Sequence, residues 1–470
     1  MSEIEDVQTH AWRASVERAL ADGEHFGGAW ATSRGKNPTW RALLTSGDRS
    51  RVLSCDASAG EIESIVDLVE AAGWDEREAH DLHGLAFPGH SPMPALAAHP
   101  DDPAQWMTSV SGDGVHQVAV GPIHAGVIES GHFRFHVIGE RILAMDPRLF
   151  YKHRGLERAA EGLHVGEALT YAARACAACS VTNTVAYANA IESAHGLQPD
   201  RELRTARTVL LELERLYNHL NDVSAICGGV GFAPGAMAFA AFKERAQRLN
   251  QRLAGHRFLF HTVALAASTL RIGQADAHAV RRELSTLAEE QRGLWRELRF
   301  AGSVQDRLVD VGRLTRQDAV RLGAVGPCAR AAGVRQDTRS ESPRLFYGDF
   351  APATPEQAGG DVAARVDVRQ VELEQTFAIL DELLTDDLAP GGVGSLNVPA
   401  SDLGVARVES PRGETVCTVQ TDGHAIGRMH LRTGSYANWP AVAHATRENL
   451  LGDFPLINKS FELCYACADR

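Results

Sequence analysis

Apolar residues recur along this chain at two spacings, and the change from one to the other organises it. Ala11 to Ala21 repeats them at helical intervals and stops at Asp22-Gly23, and Gly60 to Ala72 places Ile62, Ile65, Val66 and Val69 at helical positions. Arg51-Val-Leu-Ser-Cys55 reads as a strand. A stretch dense in Pro and His follows, from Phe87-Pro-Gly-His-Ser-Pro-Met-Pro94 to His99-Pro-Asp-Asp-Pro103. Prolines at that density prevent regular helix and predict a loop or linker. The expected division is a first domain over residues 1–105 and a second over 106–470.

Beyond the linker the period shortens to two. Phe133-Arg-Phe-His-Val137 alternates, and Gly139-Glu140 predicts a turn into a strand from Arg141 to Met145. From about residue 166 the period returns to that of a helix. Leu203 to Ile226 repeats Val209, Leu210, Leu213, Leu216 and Tyr217, and Ala240 to Leu270 and Ala279 to Arg299 continue likewise. These stripes read as the core of a helix bundle rather than as cofactor contacts. Residues 328–365, rich in Arg, Pro and Gly, read as irregular; Val366 to Thr385 is a further helix, and strand-like runs return around Thr415 to Leu431. The fold class expected is α+β: a small N-terminal α/β domain, then a mainly helical domain with peripheral β-strands.

Composition narrows the function classes. The 470 residues carry 47 Lys plus Arg against 60 Asp plus Glu, a formal charge of −13. That balance argues against nucleic acid as a partner, since phosphate binding needs a basic face. Apolar residues at 44% and charged residues at 23% are ordinary globular usage. No apolar run approaches the roughly 20 residues of a membrane span; the nearest, Phe258 to Leu270, contains His261. The acidic start Met1-Ser-Glu-Ile-Glu-Asp lacks the basic and apolar regions of a signal peptide. A cytoplasmic protein is expected, with any membrane attachment coming through partners.

Eight cysteines in such a chain are expected to be reduced. Cys55, Cys227, Cys328 and Cys417 stand alone and read as small buried hydrophobes. The other four form two C-x-x-C pairs, Cys176/Cys179 and Cys464/Cys467, nearly 300 residues apart. Each pair offers two thiolates on one turn, and two pairs together suit zinc, an iron–sulfur cluster or nickel. Spacing alone does not choose among these. The long separation argues against a compact structural zinc module, and the absence of a flanking βαβ pattern argues against a thioredoxin-like pair. A metal motif three residues from Arg470 implies that this segment is tied down by what it binds. Neither Gly228-Gly-Val-Gly231 nor Gly391-Gly-Val-Gly394 completes a dinucleotide-binding G-x-G-x-x-G.

Arg174-Ala-Cys-Ala-Ala-Cys179 and Leu463-Cys-Tyr-Ala-Cys-Ala-Asp-Arg470 resemble the two metal-binding motifs of nickel–iron hydrogenase large subunits, of the energy-converting or formate-hydrogenlyase type. Gly121-Pro-Ile-His-Ala-Gly-Val-Ile-Glu-Ser-Gly-His-Phe-Arg-Phe135 is similar to that family's N-terminal motif, and Tyr151-Lys-His-Arg-Gly-Leu-Glu157 to its next one. Val408-Glu-Ser-Pro-Arg-Gly-Glu414 resembles the motif beside the metal. Trp74-Asp-Glu-Arg-Glu-Ala-His-Asp-Leu-His-Gly-Leu-Ala-Phe-Pro-Gly-His90 resembles the signature of the 30-kDa subunit of respiratory complex I. The large subunit is in turn homologous to the 49-kDa subunit of complex I. The resemblance covers nearly the whole chain.

The resemblance implies that Cys176, Cys179, Cys464 and Cys467 hold nickel, with Cys179 and Cys467 bridging to an iron that carries cyanide and carbon monoxide. Soft, strongly donating thiolates suit such a centre. It implies further that Arg412 hangs over the open metal position and that Glu129 relays the proton from a cysteine sulfur. Glu157 matches a carboxylate that binds a structural magnesium in some relatives. Those relatives have a His three residues after the last cysteine, where this chain has Arg470, whose guanidinium can supply that charge and pair with Glu157. Two positions depart from the pattern. Ala177 stands where the family has Gly, which would cost about 1 kcal/mol if the turn needs positive φ. Asn183 stands where the family has a His that can titrate. Relatives are often made with a C-terminal extension that is later removed, and this sequence looks like a processed form or one that never had it.

The activity so implied interconverts hydrogen with protons and electrons. The implied partners are an iron–sulfur small subunit, membrane-embedded complex-I-like subunits and maturation proteins. Two other readings stay open. One is a complex-I-like quinone-reducing module in which His124 faces a quinone, although the 49-kDa subunit lacks the paired cysteines. The other is a scaffold subunit with a degenerate metal site.

Overall fold

The computed structural model describes residues 3–32, 38–124, 129–341, 344–347, 359–385, 388, 391–393 and 403–470. Residues 125–128 of the Gly121–Phe135 motif, Gly394, and much of the stretch expected to be irregular lie outside the described residues.

The N-terminal unit is a four-stranded sheet covered by two helices. Strands β1 (Glu3–Asp6), β2 (His25–Thr32), β3 (Thr39–Ser46) and β4 (Arg49–Asp56) take the order β1-β4-β3-β2. The two hairpin pairings are antiparallel and β1 joins β4 in parallel. Helix α1 (Trp12–Ala21) buries Trp12, Val16 and Ala19, and Trp12 meets Trp40 of β3 edge-on at 6.4 Å. The helix expected over Gly60 to Ala72 does not form. Residues 62–64 run extended beside 86–88, with Ile62 N donating to Ala86 O at 2.9 Å and Ser64 N to Pro88 O at 2.9 Å. The carboxylate of Glu76 takes the Ile65 amide at 2.9 Å and the Ser64 hydroxyl at 2.7 Å. Ile62 and Ile65 reach the core from this extended path, so their spacing mimics a helix. The helix that does form, α2 (Gly73–His83), ends on Gly84 in the left-handed region at φ 71°.

A second sheet, β5 (Val115–Val120), β6 (His132–Ile138) and β7 (Arg141–Arg148), is an antiparallel meander, and the expected turn at Gly139 joins its last two strands. Short α3 (Leu156–Ala160) and α4 (Val165–Arg174) lead to α5 (Ser180–Ala194), buried along nearly its whole length. Helix α6 (Arg201–Gly229) packs against α7 (Ala233–Ala254) and forms the spine of the main core. Helix α7 stops well short of the expected Leu270. Gly255 caps it at φ 75°, and residues 256–272 turn through three left-handed positions, Leu259 and His261 before the short pair β8 (Val263–Ala264) and β9 (Ala267–Ser268) and Ala266 between its strands. The apolar run that suggested helix is a core-lining loop whose carbonyls find partners such as the Thr262 hydroxyl, 2.6 Å from Leu259 O.

Helices α8 (Gln274–Phe300), α9 (Gly302–Leu308), α10 (Arg316–Arg321), α11 (Gly326–Ala331), α12 (Thr338–Glu341) and α13 (Val362–Leu383) complete the helical layer. The third sheet, β10 (Gly404–Ser410), β11 (Gly413–Asp422) and β12 (Ala425–Arg432), packs on α5. The chain then runs through α14 (Gly434–Thr446), α15 (Phe454–Phe461) and α16 (Tyr465–Asp469). The architecture is the expected α+β: a strand-rich N-terminal unit, then a helical body with sheets at its edge.

Helix α6 is unusual in burying polar side chains, among them Glu212, Glu214, Arg215, His219 and Asp222. Burial pushes the Glu214 carboxyl up to about 7, against the pull of Thr182 and Val181 donors. A carboxyl raised in the folded state keeps a proton that the unfolded chain has already released, so its contribution to stability falls as pH rises from about 4.5 to 7 and is constant above. Glu214→Gln should therefore gain stability relative to the unmodified chain across that window, by roughly 3 kcal/mol, and hold a constant difference above it. Thermal melts of both chains from pH 4.5 to 8 check this, and a difference independent of pH would refute it.

Candidate metal centre

The two C-x-x-C pairs arrive on different scaffolds. Cys176 lies in the turn between α4 and α5, and Cys179 caps the N-terminus of α5. Cys464 caps α16 and Cys467 lies within it. The four sulfurs lie within 4.8 Å of one another, with Cys179 and Cys464 Sγ 3.9 Å apart, and all four thiols are free of disulfides. Three are buried and Cys464 is partly exposed.

Helix α6 grips the first pair. Asn218 Nδ2 and the Tyr217 hydroxyl donate to Ala178 O at 2.8 and 3.1 Å, while Glu214 accepts from Val181 N at 2.7 Å and the Thr182 hydroxyl at 2.5 Å. Positions 214, 217 and 218 share one helix face, so a single helix turn fixes the cysteine turn. Ala177 keeps a negative φ in that turn, which therefore forms without the conformation that glycine favours. The second pair is held by its flanks. The Ser435 hydroxyl accepts from Cys464 N at 3.0 Å, the Thr433 hydroxyl donates to Cys467 O at 3.0 Å, and Asp469 takes the amides of Phe150 and Lys152, both at 2.8 Å.

Four thiolates in one buried pocket repel each other. Sulfur hydrogen bonds from Cys176, Cys179 and Cys467 hold Cys464 well below the usual thiol range, while the other three sulfurs push Cys179, and Cys176 and Cys464 push Cys467, well above it. A full set of thiolates therefore needs a bound cation, and a soft, borderline transition metal matches the sulfur donors.

Arg412 occupies the tight turn between β10 and β11. Its guanidinium pairs with the buried Asp222 carboxylate and donates to Asn218 Oδ1 at 3.2 Å. Burial works against that charge, but Asp222 and the sulfurs of Cys464 and Cys179 hold Arg412 well above the usual range. The turn itself rests on Gly413, at φ 118°, where an added Cβ would lie 2.7 Å from Gly326 N. Glu129 stands at the rim, exposed on its outer side, with Oε2 accepting from Ala466 N at 2.6 Å. Desolvation on its inner side pushes the carboxyl up, with Cys464 and Asp469 adding to the effect. Asn183 directs Nδ2 at Cys467 Sγ, 4.0 Å away, and its Oδ1 finds no partner among the described residues.

Glu157 meets Arg470, the pairing that the sequence allowed in place of a magnesium. Its carboxylate accepts from Leu431 N at 2.8 Å, Arg470 at 3.0 Å and Arg428 at 3.0 Å, with His430 at 3.4 Å. Burial opposes ionisation, yet Arg470, His430 and Arg428 hold the carboxyl well below the usual range. Two guanidiniums fill the places a magnesium would need, so the residues present do not fit that ion. His124 hydrogen-bonds Gly131 O at 2.7 Å through Nε2. Asp222 and Asn218, which aim Arg412, and Glu214, which holds the first cysteine turn, escaped the sequence reading. They sit in a helical stripe that looks like core, and the only sign was a run of charged residues on the apolar side of α6.

The family model for the 49-kDa subunit of the respiratory-chain NADH dehydrogenase matches residues 230–395 and 392–470, and that for its 30-kDa subunit matches residues 39–106. Formate hydrogenlyase subunit 5 of Escherichia coli is 30% identical over 446 residues, spanning 88% of this chain and 78% of that protein. An NADH-quinone oxidoreductase subunit of Phocaeicola vulgatus is 26% identical and spans 87% of each. Among solved structures, a chain of the membrane-bound sulfane sulfur reductase, an archaeal respiratory membrane complex, superposes with a TM-score of 0.71 at 25% identity, over 76% of this chain and 99% of that one. Taken together, these matches show that the chain belongs to the family that unites formate-hydrogenlyase-type hydrogenase large subunits with the 49-kDa subunit of complex I, carrying a 30-kDa-subunit segment in front.

Proposed function

We propose that this chain is the catalytic large subunit of a membrane-associated nickel–iron hydrogenase. The observation that carries the reading is the convergence of four free cysteine sulfurs within electrostatic reach of a buried arginine fixed by Asp222. Among the described residues no helix is long and apolar enough to cross a membrane. Attachment would come through membrane-embedded complex-I-like subunits, electrons through an iron–sulfur small subunit, and metal through maturation proteins. The division between the two units is placed at about residue 105, supported by the 30-kDa family match ending at residue 106.

Nickel and iron, held by Cys176, Cys179, Cys464 and Cys467, would supply the redox chemistry by which hydrogen is made or split. The chain's own residues prepare the space around them. Arg412 holds a fixed positive charge over the sulfurs in a buried setting, where it acts far more strongly than in water. Its alignment is set in advance by Asp222 and Asn218, so no reorganisation is needed when charge develops. Glu129 reaches the turn between Cys464 and Cys467 through its bond to Ala466 N. A carboxyl raised by desolvation at that point can take a proton from the sulfur side and return it to solvent. Asn183 can donate to the Cys467 sulfur but cannot titrate, so proton traffic falls to Glu129.

Elemental analysis of the complex from its own host should find about one nickel per chain, with iron, and Cys176→Ser should lose both the nickel and hydrogen turnover. Zinc, or no metal in an intact complex, would favour the scaffold or quinone module instead. Glu129→Gln should keep its nickel while turnover falls roughly 100–10,000-fold, as read by hydrogen–deuterium exchange activity and metal content together. Unchanged turnover would remove Glu129 from the proton path.

A further inference from the structure

Helix α2 of the N-terminal unit presents three side chains on one face, two to the junction of β12 with α14 and one to Arg470, which follows the last cysteine pair. Trp74 meets the Tyr436 ring edge-on at 5.4 Å, Asp75 pairs with Arg432 at 3.2 Å, and Glu78 pairs with Arg470. Arg470 bridges the units: one nitrogen serves Glu78, the other Glu157 at 3.0 Å and Leu431 O at 2.8 Å, and the guanidinium lies 4.7 Å over the Tyr436 ring. All of these side chains are buried. The sheet closes on the same place, because Gly28 at φ 134° lets Arg432 approach so closely that a Cβ would fall 2.3 Å from Arg432 Cδ.

These contacts reach the sulfurs through a short rigid path. Arg470 N donates to Ala466 O at 3.0 Å, so the residue is continuous with the turn of α16 that carries Cys467. A cavity of about 430 Å³ lined by Glu78, His83, His153, Glu157, Arg428 and Arg470 opens beside the pair. There the Arg470 guanidinium is held by its two carboxylate partners, by Leu431 O and by the Tyr436 ring. One of the two carboxylates belongs to the other unit, and a buried guanidinium that loses a partner keeps a large desolvation penalty.

We infer that the Trp74–Asp75–Glu78 face of α2 is a latch on Arg470, through which the N-terminal unit governs how firmly the Cys464/Cys467 segment is seated and how well the four-sulfur site retains metal. Glu78 is then a positioning residue that acts through Arg470, and the metal-retention part rests on the metal-site reading proposed above. Coupling of this kind is reciprocal: what loosens α2 frees the cysteine segment, and what empties the sulfur site loosens α2.

The test uses the intact complex from its own host, with Glu78→Gln and, as control in the same unit, Glu63→Gln, whose side chain is 58% exposed. Amide hydrogen exchange over residues 464–470 should quicken about tenfold in Glu78→Gln, within the usual range of such couplings, and nickel loss to a chelator should quicken with it. Glu63→Gln should change neither. In the unmodified complex, stripping the metal should raise exchange over residues 73–83 while leaving 274–300 as before. Equal exchange over 464–470 in Glu78→Gln and unmodified complex would overturn the latch, as would an α2 indifferent to metal removal. Should Glu78→Gln fail to assemble, the metal-removal comparison decides alone. Should the complex hold no nickel, the exchange comparison in Glu78→Gln still tests the latch while the hydrogenase reading fails.

Discussion

Everything in this structure turns on bringing together two pairs of sulfurs that are 285 residues apart along the chain, as counted between Cys179 and Cys464. Closing so long a loop is entropically costly, and crowding four thiols in a buried pocket is electrostatically costly. Neither cost is met by the sulfurs. It is met by rigid flanks: α6 on the Cys176/Cys179 turn, and Thr433, Ser435 and Asp469 around the Cys464/Cys467 turn. The long helices and peripheral sheets are the frame that keeps those flanks in place.

The same frame carries a ladder of buried charge away from the site. Asp222 joins Arg412 to Arg369 at 2.9 Å, His219 reaches Glu372 at 2.8 Å, and Arg330 ties Glu372 at 2.7 Å to Glu409 at 2.9 Å. Burying isolated charges would cost several kcal/mol each, so the ladder is stable only when complete. Completeness fixes orientation: Arg412 is held by Asp222, which is itself pinned by α13 through Arg369. Such a network contributes less to stability than an apolar core of equal volume would. What it supplies is a single geometry for a charged side chain in a place where water cannot tune it.

How much of this was legible in the sequence depended on whether the signal was local. Helices α1, α6, α8 and α13 and the β6–β7 hairpin follow from residues in contact with their own neighbours, and the structure has them where the pattern put them. The apolar residues of 60–72 and 256–270 misled because burial was satisfied by extended and looping backbone, held by Glu76 in one case and by Gly255 and Thr262 in the other. The cysteine pairs were visible as chemistry at fixed spacing. Asp222, Asn218 and Glu78 were not, because each acts on a partner between 190 and 392 residues away, and nothing in the local pattern marks a long-range ion pair.

Relatives that share this fold carry names as different as formate hydrogenlyase, NADH-quinone oxidoreductase and sulfane sulfur reductase. A shared architecture with divergent reactions means that the scaffold supplies placement, while identity resides in few side chains. Under the reading proposed above, the decisive ones in this chain are the four cysteines and Arg412. The Glu157 pocket shows how finely that division runs. Its carboxylate, its histidine neighbour and Glu78 come within 4.8 Å of one another, a set that by ligand type alone invites a metal ion. Arg470 and Arg428 pair with Glu157 there instead, so its charge is balanced by the chain's own covalently attached cations. An ion can dissociate into solvent, whereas a guanidinium that swings away stays tethered to its own backbone. The second cysteine segment is thereby joined to the N-terminal unit through the Glu78–Arg470 pair.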